Sequence, residues 1–217
     1  MPQAMTFNSL KDDIRSYLER GASAATDPLV YAQIPRLINL AERRIARDIK
    51  VQGFLVAVTS TLQVNIPVIP KPDRWRETVS MNIGLDPQGN QRAMIYPRSY
   101  EYCRSYWPNQ TDVAQPEFYA DYNYTNWLVV PTPDVAYPIE ILYYELPALL
   151  DDQVQTNWLT NFAPNLLLYG TLLEATPYLK NDERIPTWMN FYQMAATALD
   201  TEDTKKIFDR SAARDEA

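Results

Sequence analysis

Few residues in this 217-residue chain have the type and spacing that chemistry needs. There is no histidine, so the commonest general base and the commonest metal ligand are both missing. The one cysteine, Cys103, has no thiol partner, so neither an internal disulfide nor a thiolate zinc site can form. It stands in an aromatic stretch and reads as a buried, inert thiol. Five glycines, scattered singly, give neither a Walker loop nor a G-x-G-x-x-G turn, and no G-x-S-x-G elbow occurs. Paired carboxylates remain, because a glycosidase needs only two. Asp151 and Asp152 are adjacent, while Glu117, Asp121, Glu140 and Glu145 fall on neighbouring predicted strands. Strand rise separates Glu117 from Asp121 by about 13–14 Å, too far for such a pair. These acids read as a solvated face. The expectation is no enzyme, no catalytic residue, no cofactor and no metal.

The elements that position these residues follow from periodicity. Thr6 or Asn8 caps a predicted helix to about Arg20, with Leu10, Ile14, Tyr17 and Leu18 on one side and Gly21 as the stop. Asp27-Pro28 starts the next helix, and Pro35 is expected to divide it. From Ile34 to Lys50, the residues Ile34, Leu37, Ile38, Ala41, Ile45 and Ile49 form an apolar stripe. After Gly53 the period changes to two. Leu62, Val64 and Ile66 alternate with polar residues, as do Val79, Met81 and Ile83. A turn at 86–90 precedes a short strand to Tyr96. Phe118, Ala120, Tyr122 and Tyr124 mark another strand, and Tyr137, Ile139, Ile141 and Tyr143 a further one. Ser99 caps a short helix near 98–106. Eleven of the 17 prolines lie in 51–157 and keep its strands short. The helical period returns with Phe162, Leu166, Tyr169, Gly170 and Leu173, then, after a cap at Asp182, with Ile185, Trp188, Tyr192, Ala195 and Leu199. The predicted class is α+β. N- and C-terminal helices (1–50 and 158–199) form one bundle, an antiparallel β-rich region (51–157) is inserted, and a charged tail (200–217) follows.

Charge is unevenly spread. The net charge is −7, which argues against general nucleic-acid affinity. Residues 1–110 balance at +4 and residues 111–217 at −11. No Lys or Arg occurs between Arg104 and Lys180, against nine acids. On the long helix, Arg36, Arg43, Arg44 and Arg47 alternate with Glu42 and Asp48, which reads as a solvated or salt-bridging face. Ten of the 15 tyrosines lie between Tyr96 and Tyr144, where core, protein interface and sugar site are all open readings. No apolar run approaches 18 residues, so neither a membrane span nor a secretory signal is expected.

The order of segments carries a resemblance. "IPRLINLAERRIARDIKVQGF" (34–54) is followed by "DRWRETVSMNI" (73–83) and "YPRSYEYCRSYWPN" (96–109). Then come "PEFYADYNYTNWLVVPTP" (116–133), "IEILYYELP" (139–147) and "NFAPNLLLYGTLLEATPYLKND" (161–182). Over roughly residues 6–200 the chain resembles the head-to-tail adaptor (connector) proteins of tailed bacteriophages, the short-tailed type especially. The resemblance implies a structural virion protein at the head–tail junction, folded in the host cytoplasm. It also implies a homo-oligomeric ring, usually of twelve copies, that binds the portal protein and carries the tail nozzle or tube. Double-stranded DNA would pass through its channel without specific binding, and no catalytic site carries over.

Residue assignments follow from joining that ring to the charge pattern. A ring needs two different patches per copy. Arg43, Arg44 and Arg47 are the expected subunit interface, facing acids of the next copy. Asp121, Glu140, Asp151 and Asp152 are the expected channel lining, since acids do not hold phosphate. Ile207, Phe208, Arg210 and Arg214 in the tail are the expected portal-docking residues, on a segment that orders when bound. A tail component binding a receptor or glycan is the alternative, and a tail-associated glycosidase a weaker one.

Overall fold

The computed structural model describes residues 4–19, 28–86, 91–178 and 182–215, with side chains to Glu202 except those of Leu29 and Tyr178. The expected stop at Gly21, the cap at Asp27 and most of the 86–90 turn lie outside the described residues. The class is α+β, with helices at both ends and a seven-stranded mixed sheet between them. The chain divides into two compact units, residues 1–54 with 146–217, and residues 55–145.

The helical unit begins with α1 (Phe7–Tyr17), capped by Thr6, whose hydroxyl accepts from the Ser9 amide while Ser9 Oγ accepts from the Thr6 amide. α2 (Pro28–Asp48) runs unbroken through Pro35, contrary to the expected division. Proline removes one intrahelical donor, and burial of Ile34, Leu37, Ile38, Ala41 and Ile45 on the same helix outweighs that loss. The return chain gives α4 (Trp158–Phe162), α5 (Pro164–Glu174) and α6 (Ile185–Asp215), with α3 belonging to the other unit. α5 is buried on nearly every side, through Leu166, Leu167, Leu168, Gly170, Thr171, Leu172 and Leu173, and is the central helix of this unit. At Gly170 a Cβ would lie 3.3 Å from Tyr192 and 3.4 Å from Ile45, so glycine lets α2 and α6 close on α5. Phe162, expected on the packed side of a single helix, is 70% exposed on α4, because Pro164 starts a separate helix. α6 continues through the charged stretch expected as a separate tail.

The β unit contains β1 (Leu55–Thr61), β2 (Val68–Pro70), β3 (Trp75–Gly84), β4 (Arg92–Pro97), α3 (Tyr100–Tyr106), β5 (Phe118–Asp121), β6 (Asn126–Val130) and β7 (Pro138–Glu145). The strand order is β1-β7-β3-β4-β5-β6-β2, antiparallel except for a short β4–β5 pair. β1 begins beside the end of β7, with Leu55 opposite Tyr144. β1 and β2 are opposite edges of this sheet, yet only residues 62–67 join them. Seven flat strands span about 29 Å, and this linker reaches at most about 25 Å when straight. It also turns, with Asn65 at φ 61°. The sheet therefore curls. Its edges meet across a cleft of about 400 Å³ lined by Val58 and Thr61 of β1, Val68 and Ile69 of β2, and Trp127 and Ile141. The concave side holds Met81, Ile83, Ile95, Tyr119, Trp127, Val129, Ile139, Ile141 and Tyr143. Two sequence expectations fail here. Leu62, Val64 and Ile66 form the linker, not a strand, with Val64 and Ile66 exposed. Tyr122 and Tyr124 lie beyond β5 in a hairpin tip, and β6 arises from Trp127–Val130, buried on both faces and so without alternation.

Candidate functional site

The residues assigned from sequence fall in three places. On α2, Arg43 and Arg47 are exposed, and Arg47 Nε lies 3.1 Å from Asp48. Arg44 is engaged within its own chain. It bonds Glu174 of α5 at 3.0 Å, lies 3.8 Å from Asp48, and places its guanidinium 5.4 Å from the Tyr192 ring of α6. Arg44 thus joins three helices. Nearby, Arg184 ties the start of α6 to the end of α1 through Glu19 at 2.8 Å and the Tyr17 carbonyl at 3.0 Å. Its hydrogen bonds hold the Asp182 carboxyl down at about 2.

The four acids assigned to a channel divide between the units. Asp121 and Glu140 belong to the β unit, Asp151 and Asp152 to the helical unit. Three are ion-paired with bases from the first half of the chain: Asp121 with Lys71 at 2.7 Å, Glu140 with Arg92, and Asp152 with Lys11 at 3.6 Å. Asp151 accepts from the amides of Gln153 and Val154, each at 2.7 Å, which fixes a turn. The side chains of Ile207, Phe208, Arg210 and Arg214 lie outside the described residues.

Two buried charges were not assigned from sequence. Glu42, read as part of a solvated face, is fully buried. It lies four residues after Ile38 and three before Ile45, on the apolar stripe itself, and that spacing was the available signal. Its carboxylate accepts from the Leu150 amide at 3.1 Å, Asn157 Nδ2 at 2.5 Å and Asn39 Nδ2 at 3.3 Å. Asn157 in turn caps α4. Glu42 therefore fixes the segment by which the chain re-enters the helical unit. Burial pushes its pKa up to about 7, against the hydrogen bonds that favour the ionised form.

Lys71 has a side chain only 2% exposed. Its ammonium sits 3.5 Å from the Trp75 ring centroid and donates to Asp121 and, at 3.0 Å, to the Asn123 carbonyl. It anchors the β5–β6 tip from below and forms part of the cleft wall. Nothing periodic marks it in sequence, since it lies between two prolines in a loop.

The tyrosines divide between core and surface. Tyr119, Tyr137 and Tyr143 are buried, and burial with a bond to Asp134 pushes Tyr137 up to about 12. α3, capped by Ser99, carries the surface group. Tyr102 and Tyr106 stack at 6.1 Å, and each meets Phe118 edge-on. Cys103 is buried beneath them, as expected, with its thiol pushed up by burial. Among the described residues no cluster of three or more His, Cys, Asp or Glu is placed to hold a metal, and no helix is long and apolar enough to cross a membrane.

The family model of the SU10 adaptor protein matches residues 5–215, and the chain belongs to that family of phage adaptors. It is a structural component of the virion class. A comparison with curated proteins gives no match.

Proposed function

We propose that this adaptor forms a ring between the portal and the tail of a short-tailed phage, with a central channel for DNA. The family match over residues 5–215 carries the reading. Support comes from the surface chemistry. Arg43 and Arg47 remain exposed on α2, as does Arg36, and are open to a neighbouring copy. Arg44 contributes instead to the protomer that must be rigid before it can be repeated. Asp121, Glu140, Asp151 and Asp152 are the proposed channel lining. With three of them ion-paired, such a wall gives phosphate neither a strong hold nor strong repulsion. Ile207, Phe208, Arg210 and Arg214 are the proposed portal contacts. Removing 200–217 leaves the packed part of α6, at Trp188 and Tyr192, in place.

Electron microscopy of the protein mixed with its portal tests the reading. A closed ring on the portal, lost with the 200–217 deletion, is the expected result. Portals that stay bare under conditions where the adaptor is folded overturn it.

A further inference from the structure

We propose that an aromatic–arginine face of the β unit docks the acidic stretch 182–202, at the start of α6, of a second copy of this chain. The proposal rests on the ring reading above and names the surfaces that would build the ring. Met94 and Tyr96 on β4, and Tyr102 and Tyr106 on α3, are 42–52% exposed. Beside them lies a cavity of about 340 Å³, lined by Ala93, Met94, Tyr96, Arg98, Pro116 and Phe118 among others. Single exposed apolar residues are ordinary, but a contiguous group around a cavity marks an interaction site. Tyrosine and arginine are also the residues in which binding energy concentrates.

Arg98 gives the partner its sign. Its guanidinium lies 5.6 Å from the Tyr102 ring and 5.5 Å from the Phe118 ring. The guanidinium's one hydrogen bond among the described residues is to the adjacent Pro97 carbonyl, at 3.3 Å. Glu117, also at the cavity, accepts from the Tyr106 hydroxyl at 2.9 Å and forms no ion pair with Arg98. A guanidinium fixed against two rings keeps its donors directed outward and loses little freedom on binding a carboxylate. The face thus fits an acidic partner with apolar side chains.

Residues 182–202 of the same sequence, which lead into α6 and form its first half, have that character, with four acids against one base. Within them, α6 exposes Phe191 and Met194, and Glu183 and Asp200 are exposed without an ion pair among the described residues. Phe191 or Met194 fills the cavity, and Glu183 or Asp200 meets Arg98. The two surfaces differ, so the contact is head-to-tail and propagates from copy to copy, as a ring requires.

A photo-crosslinking residue at position 96, in a mixture of light and isotope-labelled copies at millimolar concentration, tests the contact. Links between light and heavy copies, from position 96 into residues 183–202, are expected. Arg98→Glu should weaken self-association about tenfold, and Glu183→Arg or Asp200→Arg should restore it in that background. Tyr96→Ala, checked for fold by circular dichroism, should weaken it as well. Absence of inter-copy links, links confined to other surfaces, or an Arg98→Glu protein that associates like wild type overturns the contact. The ring reading is judged separately on the portal. Rings whose links miss α6 refute only this contact, and bare portals refute the ring.

Discussion

Glu42 in the helical unit and Lys71 in the β unit are both enclosed, yet only Lys71 meets an opposite charge. Glu42 is ringed by a backbone amide and two side-chain amides, all neutral. Lys71 has the Asp121 carboxylate and the Trp75 face. A charge enclosed with neutral donors pays most of its desolvation, and here that raises the carboxyl pKa to about 7. A charge given a counter-ion at the water's edge and an indole face avoids much of that cost. The helical unit therefore ties its stability to pH, and the β unit ties its own to two tryptophans and one ion pair.

The comparison breaks most visibly if Glu42 is removed. Glu42→Ala strands the Leu150 amide in a cavity and leaves the Asn39 and Asn157 side-chain amides with one acceptor each, the Leu150 and Ala148 carbonyls. It should cost about 3–5 kcal/mol, read as a lower urea midpoint. Lys71→Ala should cost about 2–4 kcal/mol, because it also empties the space against Trp75. Lys71→Met keeps the aliphatic stem and should cost about 1 kcal/mol. Equal losses in the two Lys71 variants would show that the charge, not the stem, holds the site.

The pH dependence sharpens the same contrast. The folded protein holds the Glu42 proton up to about pH 7, whereas an unfolded glutamate releases it near 4.5. Between those values the native state binds more protons, so stability falls as pH rises. Arg43 opposes the shift and Asp151 adds to it, both secondary to burial. From pH 5 to pH 8, wild type should lose about 1–3 kcal/mol relative to Glu42→Gln. A constant difference across that range would mean that Glu42 is ionised throughout. The smallest effect is expected at Arg44. Its partner Glu174 is partly exposed, and Arg44→Ala should cost about 0.5–1 kcal/mol. Arg44→Glu sets two acids against each other and should cost more, so Arg43→Glu and Arg47→Glu test assembly more cleanly.

Helices were legible wherever an apolar stripe repeated. The stripe from Ile34 to Ile49 is buried as read, and the caps at Thr6 and Ser99 form. Pro35 does not divide α2, because packing outweighs the local effect of one proline. β6 carried no period, since both of its faces are covered, and the linker 62–67 imitated a strand by chance alternation. The site was less legible than the fold. A sequence shows charges only as signs along a chain, whereas Lys71 meets Asp121 and Arg92 meets Glu140 only after the sheet has formed. Arg98 gave no signal in sequence, because its interest lies in the rings beneath it.

The register of β1 against β7 has one further consequence. With Leu55 opposite Tyr144, the points where the β unit enters and leaves are neighbours on paired strands, about 5 Å apart. A segment whose ends coincide is removable without stretching its host. Residues 55–145 should therefore be excisable as a cassette, with a two- or three-residue turn closing the gap, or exchangeable for a different cassette. An insertion of this kind lets the sheet change or be replaced while the helical frame is inherited unchanged.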